Sequence, residues 1–397
     1  MTGATPTEKS ATGATLSASF SGVTTQNAAQ NVGFRYRKSG TSTWTFVKAK
    51  ETIGIGSGTF TATLEGLAPT TQYQYKAVMD VVDPATGSYT TIEGNVCSFT
   101  TAAQPVIETG YFTDYVMPDL SGMGVSLRTS GSNSDRDDNW YSYNTSSSNR
   151  QIAIHTYHPS LDVERLNYVV LYDGSKYAPV WTAHTMNSSL WPNNNVGRNE
   201  SWTSDPAISL AQQTGLDNAS TVGYSRGHLV ASEYRQSTVA QNKQTFYYSN
   251  QAPQWQDGFN GSVTGGGNGV WQNLENRVVT MTPSGSTTML YVVTGVLYEG
   301  TAKTLPSGSK NVAIPSHFYK CIMKCTLSSA GVPASAQGIA FVYTNESHAG
   351  ANYYDSAFVT SIDAIETRAG FDFFARVPSN LQATAEANTS HAWFTGK

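Results

Sequence analysis

From Ala14 to Thr101 apolar and polar residues alternate in short runs separated by turn residues, a period of two that suits strands and not helices. Val32-Gly33-Phe34-Arg35-Tyr36-Arg37, Thr59-Phe60-Thr61-Ala62-Thr63-Leu64 and Tyr73-Gln74-Tyr75-Lys76-Ala77-Val78 are such runs. Short strands at this regular spacing predict an all-β sandwich over residues 13–102. Trp44 and Tyr73 are expected in its core, because large aromatics are buried on average. Residues 1–12 are small and polar and are expected to be disordered. Ala102-Ala103-Gln104-Pro105 marks the boundary, since proline stops a strand ladder.

Beyond it, residues 106–397 form a second domain, and at 397 residues in total two or three domains are the natural division. Leu127 to Arg150 is dense in Ser, Asn and Asp and reads as a long surface loop. Strands are expected at Ile152 to Tyr157, Leu166 to Asp173, Ala178 to Ala183, Thr288 to Thr294, His317 to Leu327 and Gln337 to Tyr343. His155 and His158 lie three apart on one of these and point to opposite faces, which argues against a metal pair. A hydrophobic share of 39% supports real cores, and the low charged share of 13% with abundant Gly, Ser, Thr and Asn suits a loop-rich exported protein. No apolar run is long enough to span a membrane. The first residues do not read as a signal peptide, so an export signal is taken to be absent from this sequence. Cys321 and Cys325 sit four apart on a strand, about 13 Å, too far to be bridged. Both read as buried thiols, and Cys97, in the other domain, is not expected to form a disulfide.

The chemistry concentrates in one stretch, Gly223-Tyr224-Ser225-Arg226-Gly227-His228-Leu229. Glycine permits a tight turn, and the histidine after it can trade protons near neutral pH. Tyr248-Ser249-Asn250-Gln251-Ala252-Pro253-Gln254 follows, then Phe259-Asn260, then Trp271-Gln272-Asn273-Leu274-Glu275. Four short patterns in this order resemble the DNA/RNA non-specific endonucleases, nucleases with a ββα-metal (His-Me finger) core, over roughly Val106 to the C-terminus. The stretch Leu64 to Tyr73, with Cys97-Ser98-Phe99-Thr100-Thr101, resembles a fibronectin type III domain, whose role would be spacing or contact with a surface partner. The fold expected is therefore multidomain: an all-β, fibronectin III-like sandwich followed by an α+β nuclease domain with a ββα-metal finger.

The resemblance implies Mg²⁺-dependent cleavage of DNA and RNA, with Mn²⁺ a possible substitute and products ending in 5′-phosphate. His228 would be the general base, taking a proton from the attacking water. One asparagine would hold the ion, leaving it strongly Lewis acidic. Asn260 matches that ligand, and Asn268 is the alternative, because Gly261 to Gly269 reads as an insertion ahead of Trp271. Glu275 would act on the ion through water. Asn250 would support the site, and Arg198, ahead of Trp202 and Asp205-Pro206, would reach the scissile phosphate. Arg226 would contact phosphate or brace its loop. The chain departs from the family pattern at Ser225, where an aspartate is familiar, and at Val279, where an arginine is frequent. Of its charged residues, 17 basic and 22 acidic ones lie from position 105 on, so broad electrostatic attraction to nucleic acid is excluded. Two rival readings stand beside this one: an inactive nuclease-like module used for binding or adhesion, and a surface glycan-binding protein. A glycosidase would need two facing carboxylates, and no such pair stands out.

Overall fold

The structure is a computed structural model. It describes residues 2–9, 14–23, 29–51, 55–64, 67, 71–82, 86–101, 114–133, 138–160, 163–264 and 266–397. The chain divides into two compact units, Met1–Gly110 and Tyr111–Lys397. The boundary expected at Ala102 to Pro105 lies outside the described residues, as does much of Leu64 to Tyr73.

The first unit contains β1 (Thr2–Lys9), β2 (Ala14–Val23), β3 (Ala29–Lys38), β4 (Thr45–Lys48), β5 (Gly56–Leu64), β6 (Gln72–Val82), β7 (Tyr89–Glu93) and β8 (Cys97–Thr100). Strands β1-β2-β5 form one sheet and β4-β3-β6-β7 another, with β8 also on β6. Inward positions alternate along β2, β5 and the first half of β6, and Leu16, Phe34, Phe60 and Tyr75 from both sheets meet in one core. Two expectations need correction here. Residues 2–9 are not disordered: they pair antiparallel with β2, whose edge would otherwise expose unpaired backbone groups. Pro6, which cannot donate to a ladder, falls within the irregularity between Ala4 and Glu8. Trp44 is not core: it lies half-buried with the Arg37 guanidinium 4.3 Å and the Lys76 ammonium 4.8 Å from its ring centre. Its polar edge and flat face suit a cation-covered surface position.

The second unit is built on β9 (Ser126–Asn133), β10 (Asp138–Asn144), β11 (Arg150–Ser160), β12 (Val163–Asp173), β13 (Ala178–Met186), β14 (Tyr224–His228), β15 (Gln251–Trp255), β16 (Thr288–Leu297), β17 (Lys303–Ser307), β18 (Lys310–Ile314), β19 (His317–Leu327), β20 (Pro333–Thr344) and β21 (Val359–Thr360). Among the described residues, nine form one antiparallel sheet in the order β21-β20-β19-β16-β13-β12-β11-β10-β9. The Leu127 to Arg150 stretch is therefore not a loop but mainly the two outermost strands. Tyr141 and Tyr143 bury against the sheet, while β9 spends its polar residues on the exposed edge. Helices are α1 (Val239–Gln244), α2 (Val270–Met281), α3 (Ile362–Ala369), α4 (Ser379–Glu386) and α5 (Ala392–Thr395).

Alternation along β19 separates two faces. Phe318 and Ile322 join the core under α2, whereas Tyr319 stacks against Phe373 on the α3 side. On α2, Val270, Trp271, Leu274 and Val278 are buried at helical spacing, each worth roughly 1.5–3 kcal/mol on burial. That face seats α2 on the sheet and turns Gln272, Glu275 and Asn276 toward a cleft.

Candidate active site

The cleft, of about 830 Å³, is walled by the loop from Arg198 to Trp202, by the β14–β15 ribbon and by α2. A buried polar group anchors the loop: His155 Nε2 lies 2.9 Å from Asp205 Oδ2, Ser249 donates to the same carboxylate, and Asp205 Oδ1 accepts from Ala207 N–H. Trp202 is thereby brought against the His228 ring, with centroids 4.8 Å apart, and Phe246 meets that ring edge-on at 5.0 Å.

Strand β14 pairs with β15 from Tyr224↔Trp255 to His228↔Gln251. The turn glycine is Gly223, at φ +84°, not Gly227. Gly227 lies within the strand, where a Cβ would stand 2.4 Å from that of Gln254, so glycine there serves close approach. Asn345 ties β15 to the sheet by accepting from Trp255 N–H and donating to Pro253 and Pro315 carbonyls. His228, at the strand end, is 8% exposed and its Nε2 has no hydrogen-bond partner. Burial first, and the Arg198 charge second, push the imidazole down to about 3, against a hydrogen bond with the Arg226 backbone that raises it. It is neutral at any physiological pH.

Asn250 does not reach the cleft. It is fully buried, accepting from Val230 N–H at 2.9 Å and donating to the Val230 and Thr245 carbonyls, so it fixes the chain just past His228. Asn260 does line the cleft, with its Nδ2 donating to Ser225 Oγ at 2.7 Å. That bond directs the amide and leaves its carbonyl oxygen as the end able to bind a cation. Asn260 does not open α2, however, which starts ten residues later. Between them the 261–269 segment closes on itself: Gly269 N–H donates to Gly261 O at 2.8 Å, and Ser262 bridges Asn268. A Cβ on Gly269 would lie 2.2 Å from Phe259 O, so the excursion returns almost to its start. Asn268 lies in that excursion and does not line the cleft.

Glu275 is one helical turn past Trp271, with a buried Oε1 that has no partner. Burial raises its carboxyl, and the ammonium of Lys320 opposes the rise. Lys320 stands on β19 beneath α2, donating to Thr294 Oγ1 at 2.8 Å with its ammonium 4.6 Å from the Trp271 ring centre.

The two arginines are already engaged by carboxylates. Glu200 Oε2 accepts from Arg198 Nε at 3.2 Å, and its Oε1 accepts from Trp202 Nε1 at 2.9 Å and lies 3.9 Å from Arg226 NH1. Asp217 Oδ1 accepts from Arg226 NH2 at 2.9 Å. With Glu233, Asp257 and Glu275, carboxylates outnumber guanidiniums along the walls, an environment suited to a cation. Arg277 is directed away, donating to Phe394 O.

Of the expected residues, Arg198, Arg226, His228, Asn260 and Glu275 thus share one cleft, with Asn250 behind it and Asn268 outside it. Sequence reasoning missed Glu200, Ser225 as the partner of Asn260, and Lys320. Only Glu200 left a signal, an acidic residue two positions from an arginine in a polar loop.

Residues 148–380 match the model of the DNA/RNA non-specific endonuclease family. A nuclease of Nostoc sp. is 26% identical over 236 residues, covering 56% of this chain and 77% of the relative. Nuclease 1, mitochondrial, of Schizosaccharomyces pombe is 30% identical, covering 54% and 67%. A nuclease of Serratia marcescens is 29% identical, covering 48% and 67%.

Proposed function

Because this chain belongs to the DNA/RNA non-specific endonuclease family, we propose that the cleft hydrolyses phosphodiester bonds of DNA and RNA with a divalent cation, Mg²⁺ or Mn²⁺. The observation that carries the reading is His228: a neutral imidazole with an unpartnered nitrogen, in the same cleft as Asn260, Glu275 and two arginines. We read β14, β15 and α2 as the ββα-metal finger.

The donor set fits a hard cation, since Asn260 offers a directed amide oxygen and Glu275 an orphaned carboxylate oxygen. A bound ion would neutralise charge on the phosphate and on the departing 3′ oxygen. His228 takes the proton of the attacking water as the new P–O bond forms and the P–O3′ bond breaks, which leaves a 5′-phosphate. Trp202 and Phe246 hold the ring in place. Arg198 and Arg226 contact non-bridging phosphate oxygens once their carboxylate partners give way. Such contacts carry no base information, so cleavage is loosely selective.

The first unit is read as a fibronectin III-like module that spaces the enzyme or binds a surface partner, and the protein as exported. No helix among the described residues is long and apolar enough to cross a membrane. A plasmid-nicking assay with and without EDTA tests the reading, together with His228→Ala, which should lower the rate about 10²–10⁴-fold. Nicking that survives chelation, or a variant keeping a tenth of wild-type rate, refutes it; DNA binding without nicking would favour an inactive binding module.

A further inference from the structure

On the sheet face opposite the cleft, α3 and α4 converge on three carboxylates. Asp363 and Glu366 lie three apart on α3 and so share one side of it, and Glu386 is the last residue of α4. One oxygen from each comes within 4.8 Å of the other two. Helix α4 is seated closely on the sheet, since a Cβ on Gly338 of β20 would lie 2.4 Å from Ala385 O.

Clusters of surface acids are common and mean little alone. Here, however, Glu386 is 5% exposed, one of its carboxylate oxygens faces the other two acids within 4.8 Å, and its Oε1 has no hydrogen-bond partner. A buried carboxylate oxygen left unpaired costs free energy unless something supplies charge or a proton. No basic side chain does so: burial, Glu366, Asp372 and Asp363 all disfavour its ionised form, and only a hydrogen bond from Gln382 helps. Its place at the C-terminal end of a helix adds the unfavourable end of the helix dipole. Glu366 spends Oε1 on Phe373 N–H at 2.6 Å, which leaves its other oxygen for the cluster.

We propose that Asp363, Glu366 and Glu386 bind a divalent cation, Ca²⁺ by preference, that staples α3 to α4 independently of the cleft. Coordination habit decides the ion: Ca²⁺ accepts six to eight oxygens in flexible geometry, whereas Mg²⁺ demands a near-ideal octahedron and gives up its waters reluctantly. Three carboxylates suit the calcium ion's tolerance of irregular oxygen shells, with water completing the rest.

The test is calorimetric titration of the metal-stripped full chain with CaCl₂, paired with thermal melts in EDTA and in millimolar Ca²⁺. Wild type should bind Ca²⁺ and melt about 5 °C higher in its presence. Glu386→Gln should lose this increment, melt in EDTA no lower than wild type, and keep its nicking activity in Mg²⁺. Asn260→Ala should keep the increment, which separates this site from the proposed catalytic one. Asp363→Asn, at an exposed position, repeats the test should the buried substitution fail to fold. An unchanged melt of wild type in Ca²⁺, or an equal increment in wild type and both carboxylate variants, overturns the proposal. In the first case the cluster is held by a shared proton instead.

Discussion

The depressed basicity of His228 makes a stability prediction that needs no substrate. Folded, the imidazole is held near 3 by burial and by Arg198; unfolded, it returns to its ordinary 6.5. As pH falls through 6.5 the unfolded chain takes up a proton that the native state refuses. Stability linked to this group is therefore fully present above about pH 7 and is lost progressively toward pH 3. At pH 5 the unfolded state gains roughly RT ln(1 + 10^1.5), about 2 kcal/mol, while the native state gains almost nothing. The figure at pH 5 is insensitive to the folded value as long as that lies well below 5.

His228→Gln removes the titration and keeps a polar side chain of similar length. Urea unfolding of both proteins at pH 7.5 and pH 5.0, at fixed ionic strength in EDTA, isolates the effect through emission of the buried Trp181 and Trp271. The substitution costs packing against Trp202 and Phe246 at both pH values. The difference between variant and wild type should nonetheless shift by about 2 kcal/mol in the variant's favour at pH 5.0. A difference that is the same at both pH values would show that His228 titrates normally in the native state. The burial-enforced neutrality assigned to His228 would then fall, although an imidazole titrating at 6.5 could still serve as base near pH 7.5.

Three further outcomes are expected. Asn260→Ala should abolish Mg²⁺-dependent nicking across a magnesium titration, while Asn268→Ala costs less than about tenfold; the reverse order would move the ligand into the 261–269 excursion. Glu200→Gln should lower KM for DNA about two- to fivefold, the worth of one exposed ion pair, and steepen its salt dependence by freeing guanidinium charge; a raised KM would show that the carboxylate positions the arginines instead. A fragment of residues 111–397 should fold and nick DNA alone, and an insoluble or inactive fragment beside active full-length protein would count against independent folding.

What could be read before folding was what the chain encodes locally. The Gly223-to-Leu229 stretch, the Phe259-Asn260 step and the Trp271-to-Glu275 step each sit within a few residues, so their spacing reports which side chains can meet. Strands β11, β12, β13, β16, β19 and β20 were legible because a strand covered on both faces reads as a nearly continuous apolar run. Strands β9 and β10 were not, because their Ser and Asn content suits an edge as well as a loop, and only pairing with β11 decides between them. Trp44 misled because a tryptophan half covered by Arg37 and Lys76 has the same sequence signature as one in a core. Gly227 misled in another way: the need for glycine comes from Gln254, which lies across the ribbon.

The residues that no local pattern could reveal are those that set the electrostatics. Lys320 reaches Glu275 from β19, and its polarity inside a strand of Phe, Tyr, Ile and Met looks from sequence like a blemish. Its ammonium beneath the α2 carboxylate is the largest influence opposing protonation of Glu275, with the Trp271 side chain and Arg198 acting in the same sense. Glu200 works in the opposite sense, occupying Arg198 and approaching Arg226 in the free protein. On the proposed reading an acidic chain keeps its two cleft guanidiniums paired until a phosphate competes for them, and exposed pairs of this kind are cheap to break. The same surplus of carboxylates that argues against broad attraction to a polyanion favours a cation in the cleft, and that cation can bring the phosphate in. On the proposed reading net charge is a poor guide to this protein's substrate, because the charge that would meet the phosphate is local and part of it would be borne by an ion the sequence does not contain.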